Sequence, residues 1–125
     1  MTFATAITCM DGRVQLPVIH YLQERFFAEY IDTITEPGPN RILAEKTDQS
    51  QVASILARIK ISVDKHGSRH IAIIGHHDCA GNPVSKEQQI DHLHKAAAFI
   101  RREYPKVEVI GIWVDEKWRI HEIKS

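Results

Sequence analysis

The stretch HIAIIG, residues 70–75, is apolar throughout its interior and does not alternate with polar residues. A strand with one solvated face would show such alternation, so this strand is expected to be covered on both faces. Central strands of parallel sheets have this character, because crossover helices pack on both sides of the sheet. The sequence therefore predicts an α/β protein with residues 70–75 in the centre of its sheet.

Further strands and helices alternate on both sides of this stretch. Short apolar runs predict four more strands, at residues 3–8, 31–35, 107–114 and 118–123. Apolar residues recur at helical spacing in three segments, from Val14 to Tyr30, from Val52 to Val63 and from Ile90 to Tyr104. Pro17 is compatible with the first helix only in its first turn, and residues 36–40 (EPGPN) predict a loop.

This order of elements predicts a three-layer α/β/α sandwich. The sheet is expected to be mostly parallel, with the last strand folded back antiparallel at the edge. A chain of 125 residues has the length of one domain, so residues 1–125 are expected to form a single domain. If the strand order is 2-1-3-4, the connections reverse between the first and third strands, which is where ligands bind in such sheets.

The composition excludes several classes of protein. Lys and Arg number 16, as do Asp and Glu, and the resulting net charge of zero argues against a nucleic-acid partner. No apolar run has the length of a membrane span, and the N-terminal residues do not resemble a secretory signal. A cytoplasmic location is therefore expected, with Cys9 and Cys79 present as thiols or as metal ligands.

Two polar clusters directly follow the first and third strands. Residues 9–13 read CMDGR, and residues 75–81 read GHHDCAG. With the strand order 2-1-3-4, Cys9, His76 and Cys79 converge at the carboxyl edge of the sheet. Two thiolates and one imidazole are favoured zinc ligands, and three protein ligands with a fourth position open are typical of a catalytic site. The alternative is that both cysteines are merely buried thiols.

Asp11 and Arg13 lie next to this predicted site. Asp11 can close the metal site as a fourth ligand, or it can accept a hydrogen bond that orients a zinc-bound water or hydroxide. Arg13 can keep Asp11 ionised and directed away from the metal through a bidentate ion pair. Zinc lowers the pKa of bound water, but two thiolates offset its charge, so activity is expected on the alkaline side.

The two clusters resemble the Cys-x-Asp-x-Arg and Gly-His-x-x-Cys-x-Gly motifs of the β-class carbonic anhydrases. The resemblance covers nearly the whole chain, and it implies the strand order 2-1-3-4 and a homodimer or higher homo-oligomer. It also implies a zinc enzyme that hydrates carbon dioxide to bicarbonate and a proton. The family pattern assigns the role of metal ligand to Cys9, His76 and Cys79. It assigns the role of catalytic dyad to Asp11 and Arg13.

The sequence also departs from the family pattern. Only eight residues precede Cys9, where family members commonly have a helical arm that brings a glutamine to the pocket. Residues 35–38 read TEPG in place of the common RNAG, and the segment after Cys79 is short. Two alternative functions therefore stay open: a zinc-binding module that is non-catalytic or regulatory, and a hydrolase of carbonyl sulfide or carbon disulfide.

Overall fold

The computed structural model describes residues 2–124 of the chain. Strands and helices follow one another as predicted, with one additional short helix after the second strand. The elements are β1 Phe3–Cys9, α1 Gly12–Arg25, β2 Tyr30–Glu36, α2 Pro39–Glu45, α3 Gln49–Asp64, β3 His70–His76, α4 Lys86–Glu103, β4 Glu108–Val114 and β5 Ile120–Ile123. None of the helices within residues 2–124 is long and apolar enough to cross a bilayer.

The strands form one sheet in the order β2-β1-β3-β4-β5. The first four are parallel, and β5 pairs antiparallel with β4 at the edge. The predicted three-layer fold and strand order 2-1-3-4 with an antiparallel edge strand are therefore confirmed. Strands β1 and β3 are neighbours, so the chain segments that follow them leave the same edge of the sheet side by side.

Strand β3 is buried on both faces, as its lack of alternation predicted. Ile71 and Ile73 point into a core formed with α2, α3 and α4, whereas Ala72 and Ile74 point into a core formed with α1. All four side chains are fully buried. Complete burial of an isoleucine stabilises a fold by about 1.5–3 kcal/mol, so β3 contributes to the cores on both faces of the sheet.

Helix α1 begins earlier than the apolar spacing indicated. The Asp11 side chain caps the helix by accepting from the Arg13 backbone N–H at 2.9 Å. Pro17 consequently lies beyond the first turn, and the prediction that it belongs there was wrong. Tyr30, which was predicted to extend the helical stripe, is instead the first residue of β2.

Helix α2 occupies part of the segment that was predicted to be a loop. Gly38 precedes it in the left-handed conformation, with φ at 62°, and Pro39 is its first residue. The fixed φ of proline is favourable at that position, because its missing N–H would have had no helical partner. The residues after β2 therefore turn sharply and bring Asn40 into the protein interior, where it is 1% exposed.

Asp115 organises the turn between β4 and β5. Its Oδ1 accepts hydrogen bonds from the backbone N–H groups of Lys117 and Arg119, at 2.8 and 2.9 Å. Its Oδ2 lies 2.7 Å from His121 Nε2. Trp118, which was predicted to start the last strand, lies within this turn with φ at 60°, and β5 begins only at Ile120.

The contribution of Asp115 to stability is expected to depend on pH. The bond to His121, aided by the two backbone N–H groups, lowers the pKa of Asp115 from 3.8 to about 2. A lowered carboxyl pKa stabilises the fold above the unfolded value, and this stabilisation is lost as the pH falls from 3.8 to about 2. Urea unfolding of Asp115→Ala should therefore show a deficit that is constant above about pH 5 and shrinks below about pH 4.

The matched control is Glu116→Ala, an exposed carboxylate in the same turn. Its stability should follow that of the wild type at every pH. A deficit in Asp115→Ala that stayed constant down to about pH 2 would contradict the assignment, because it would not follow the protonation of this carboxyl.

Candidate metal centre

Three buried side chains that can bind a metal meet at the carboxyl edge of the sheet. Cys9 ends β1, His76 ends β3, and Cys79 follows in the loop after β3. The two sulfur atoms are 3.8 Å apart, and the ligand atoms of all three residues lie within 4.8 Å of one another. Among residues 2–124 this is the only group of three or more His, Cys, Asp or Glu residues with such an arrangement.

The orientation of His76 suits a metal ligand. Its Nδ1 lies 2.7 Å from the backbone carbonyl oxygen of His77, so Nδ1 is a donor, and in the neutral imidazole the lone pair is on Nε2. Nε2 is buried and has no hydrogen-bond partner among the described residues. A buried lone pair without a partner is unfavourable, and a cation bound between Nε2 and the two sulfurs would satisfy it.

The two thiols do not share the same protonation behaviour. The contact with Cys79 lowers the pKa of Cys9 well below the ordinary thiol value, and His76 and the backbone N–H groups of Gly38 and Asp11 lower it further. The same contact, together with burial, raises the pKa of Cys79. Burial opposes the charged form of His76, but the neighbouring Cys9 sulfur and the His77 carbonyl outweigh it and raise the pKa of His76. The cluster thus concentrates negative charge on sulfur.

Asp11 and Arg13 form a bidentate ion pair beside the cluster. Arg13 Nη2 donates to Asp11 Oδ2 at 2.7 Å, and Arg13 Nε donates to Asp11 Oδ1 at 3.1 Å. These bonds lower the pKa of Asp11 to about 2, so its carboxylate is ionised at neutral pH. The carboxylate faces Arg13 and is not part of the ligand group formed by the cysteines and His76.

Arg13 is itself held by two partners that the sequence did not single out for this role. Its guanidinium carbon lies 4.5 Å from the centroid of the Trp118 ring, a cation–π contact. Arg13 Nη2 also donates to the backbone carbonyl of Asp78 at 3.2 Å. Arg13 therefore links the start of α1 to the loop that follows His76 and carries Cys79.

Two glycines allow the loops around the cluster to touch. A Cβ atom on Gly81 would lie 2.4 Å from the carbonyl carbon of Pro37, and one on Gly38 would lie 2.8 Å from that of Gly81. Real Cβ atoms do not approach backbone so closely, so both positions require glycine. The loop after β2 is thereby packed directly against the loop that follows Cys79.

Gly81→Ala is expected to destabilise the protein by about 1–3 kcal/mol, because overpacking forces the two backbones apart. The measurement is the midpoint of urea unfolding of the metal-free chain. Gly12→Ala is the matched control, since a Cβ on Gly12 meets nothing within 4 Å, and it should be neutral or slightly stabilising. Equal midpoints for the two variants would contradict the close contact.

Comparison with known proteins identifies the family. A family model described as "Putative carbonic anhydrase" matches residues 1–124. The chain belongs to this family. No curated protein sequence matches the chain significantly.

Solved structures of β-carbonic anhydrases have the same fold. The neighbours include one of two tetrameric enzymes from the filamentous ascomycete Sordaria macrospora, with 17% identity, 98% of this chain and 80% of that chain covered, and a TM-score of 0.61. CafA of the fungal pathogen Aspergillus fumigatus shares 16% identity over 97% of this chain and 74% of its own, with a TM-score of 0.56. The β-carbonic anhydrase CcaA shares 11% identity over 99% of this chain and 81% of its own, with a TM-score of 0.60. Family and fold together make the chain a carbonate dehydratase-like enzyme.

Proposed function

We propose that the chain catalyses the reversible hydration of carbon dioxide to bicarbonate at a zinc ion held by Cys9, His76 and Cys79. The observation that carries the proposal is the buried, unpartnered Nε2 of His76 within reach of the two cysteine sulfurs. Two sulfurs and one imidazole nitrogen suit the tetrahedral geometry of zinc and leave its fourth position open. When bound, zinc supplies Lewis acidity that brings the pKa of water towards neutrality.

Asp11 and Arg13 are proposed to orient the attacking water. The Asp11 carboxylate stays ionised because of Arg13, so its oxygens can accept a hydrogen bond from that water. Arg13 in turn donates to both oxygens of this carboxylate, so that Asp11 would remain outside the ligand set of a bound metal. Trp118 and the Asp78 carbonyl hold Arg13 in this orientation.

The proposed substrates are small molecules, carbon dioxide and bicarbonate. A cavity of about 420 Å³ opens beside the cluster and is lined by His77, Cys79, Val84 and Lys86 among others. Because Cys79 lines this cavity, we propose it as the route by which a small linear molecule approaches the cluster. Carbonyl sulfide and carbon disulfide have the same linear shape, so they are the alternative substrates to be compared.

Stopped-flow measurement of carbon dioxide hydration tests the proposal. The chain is loaded with about one zinc per molecule and assayed at about pH 8.5, because two thiolates offset the charge of the ion and weaken its effect on water. Hydration far above the buffer rate is expected. A background rate at full zinc occupancy would contradict the proposal, and it would favour either carbonyl sulfide or carbon disulfide as substrate or a non-catalytic zinc module.

We further infer that the chain associates with copies of itself and acts in the cytoplasm. Met10, directly after Cys9, and Leu16 on α1 are 64% and 65% exposed, and β2 forms an open edge of the sheet. The free thiols Cys9 and Cys79 suit a reducing compartment. Light scattering after size-exclusion chromatography tests the first inference, and a monomer at every concentration would contradict it.

A further inference from the structure

Gln89, near the start of α4, is a buried side chain that joins helix α2 to the loop carrying Cys79. Gln89, Asn40 and Asn82 are each at most 1% exposed. Buried amides are uncommon, because each of their polar atoms requires a partner. Gln89 Oε1 accepts from Asn40 Nδ2 at 2.7 Å, and Gln89 Nε2 donates to the backbone carbonyl of Asn82 at 2.8 Å. One side chain therefore connects α2 with the loop between β3 and α4.

This amide network contacts the metal-ligand segment at both of its ends. A Cβ atom on Gly75, directly before His76, would lie 2.7 Å from Gln89 Oε1 and 2.9 Å from Asn40 Nδ2. At the other end, the Asn82 N–H donates to the carbonyl oxygen of Cys79 at 3.3 Å. The same pair of amides is thus packed against the residue before His76 and bonded to the turn after Cys79.

We propose that Gln89 is a positioning residue for the metal centre, holding His76 and Cys79 at the separation that a metal requires. Residues 77–85 contain neither helix nor strand, so the position of Cys79 depends on such tertiary hydrogen bonds. Groups that hold metal ligands in place, without binding the metal themselves, change metal affinity by about 10–100-fold when they are replaced. The inference rests on the proposed function, because it requires that the cluster binds a metal.

Asn82→Ala provides a matched control within the same network. The Asn82 side chain bonds His92 Nδ1 at 2.9 Å, whereas Gln89 binds the Asn82 backbone carbonyl. Alanine at position 82 removes a buried amide but leaves that carbonyl in place. If the network served only the stability of the fold, replacing either Gln89 or Asn82 would lower the melting temperature. The two variants would then bind the metal with similar affinity.

The test is competition for Zn²⁺ between the metal-free chain and a chromophoric chelator. Gln89→Met, which keeps the volume but removes both hydrogen bonds, is expected to weaken zinc binding by about 10–100-fold. Asn82→Ala is expected to bind zinc close to the wild-type affinity, although the melting temperatures of both metal-free variants fall. If Gln89→Met does not fold, Asn40→Ala replaces it, since this variant keeps Gln89 but removes its donor, and a smaller loss in the same direction is expected.

The outcomes separate this inference from the proposed function. If the wild-type chain binds zinc and Gln89→Met binds as tightly as Asn82→Ala, the positioning role is overturned and the proposed function stands. If Asn40→Ala is used in place of Gln89→Met, zinc binding as tight as that of Asn82→Ala likewise overturns the positioning role. A wild-type chain that binds no zinc overturns both proposals.

Discussion

Cys79→Ser is expected to reduce zinc affinity by more than about 100-fold, beyond the range found for groups that only position a ligand. A serine hydroxyl does not ionise near neutral pH and is a poor ligand for zinc, whereas the thiolate is a strong one. The stabilisation that zinc provides should disappear with it. At a free zinc concentration of 100 times its Kd, the wild type should gain about 2.7 kcal/mol in the free energy of unfolding.

The two ends of β3 offer a matched pair of histidines for the same measurement. His76 ends the strand beside the two sulfurs. His70 begins the strand, at the amino end of the sheet, and stacks on Phe26. His76→Ala should lose zinc as Cys79→Ser does, and His70→Ala should retain it. Full zinc content in Cys79→Ser and His76→Ala would show that the metal binds elsewhere, and the proposed centre would have to be abandoned.

Asp11→Asn is expected to lower carbon dioxide hydration by about 10²–10⁴-fold, the range typical of groups that act on a proton in the reaction. Asparagine keeps an oxygen that can cap α1, so the helix should persist. Asparagine is uncharged and forms no ion pair with Arg13. Its amide has one oxygen that can accept a hydrogen bond from water, whereas the carboxylate has two. Zinc content should be unchanged, because the carboxylate lies outside the ligand cluster.

The control for this substitution is another helix cap. Asp48 caps α3 and accepts from the Gln51 N–H at 3.2 Å, and Asp48→Asn should leave hydration unchanged. Asp11→Ala serves as a second variant, with an additional loss of about 1 kcal/mol in stability from the missing cap. Wild-type hydration rates in Asp11→Asn at full zinc occupancy would remove Asp11 from the mechanism.

Much of the fold could be predicted from local sequence patterns. The absence of alternation in residues 70–75 indicates a strand covered on both faces, and β3 is such a strand. The helical spacing of apolar residues from Val52 to Val63 indicates a helix, and α3 includes that whole stretch. These predictions succeed because the signal and its cause lie within a few residues of each other.

The features that were missed depend on packing between distant parts of the chain. Helix α2 has only seven residues, and so short a helix has little periodicity of its own and is stabilised mainly by its tertiary contacts. Trp118 adopts a positive φ inside a turn that Asp115 and its hydrogen bonds define. The amide pair of Asn40 and Gln89 joins residues 49 positions apart, and no local pattern marks such a contact.

The sequence by itself predicted an α/β fold with residues 70–75 in the centre of the sheet. Its resemblance to the β-class carbonic anhydrases implied the strand order 2-1-3-4, and with that order the candidate ligands Cys9, His76 and Cys79 were expected to meet at the carboxyl ends of neighbouring strands. Only the tertiary structure decided how they meet. The His77 carbonyl selects the tautomer that leaves His76 Nε2 free, and Arg13 turns the Asp11 carboxylate away from the cluster. Gly81 and Gln89 place the Cys79 loop against its neighbours. Distances of a few ångströms and the direction of a lone pair are set by contacts across the fold, which the order of residues along the chain does not reveal.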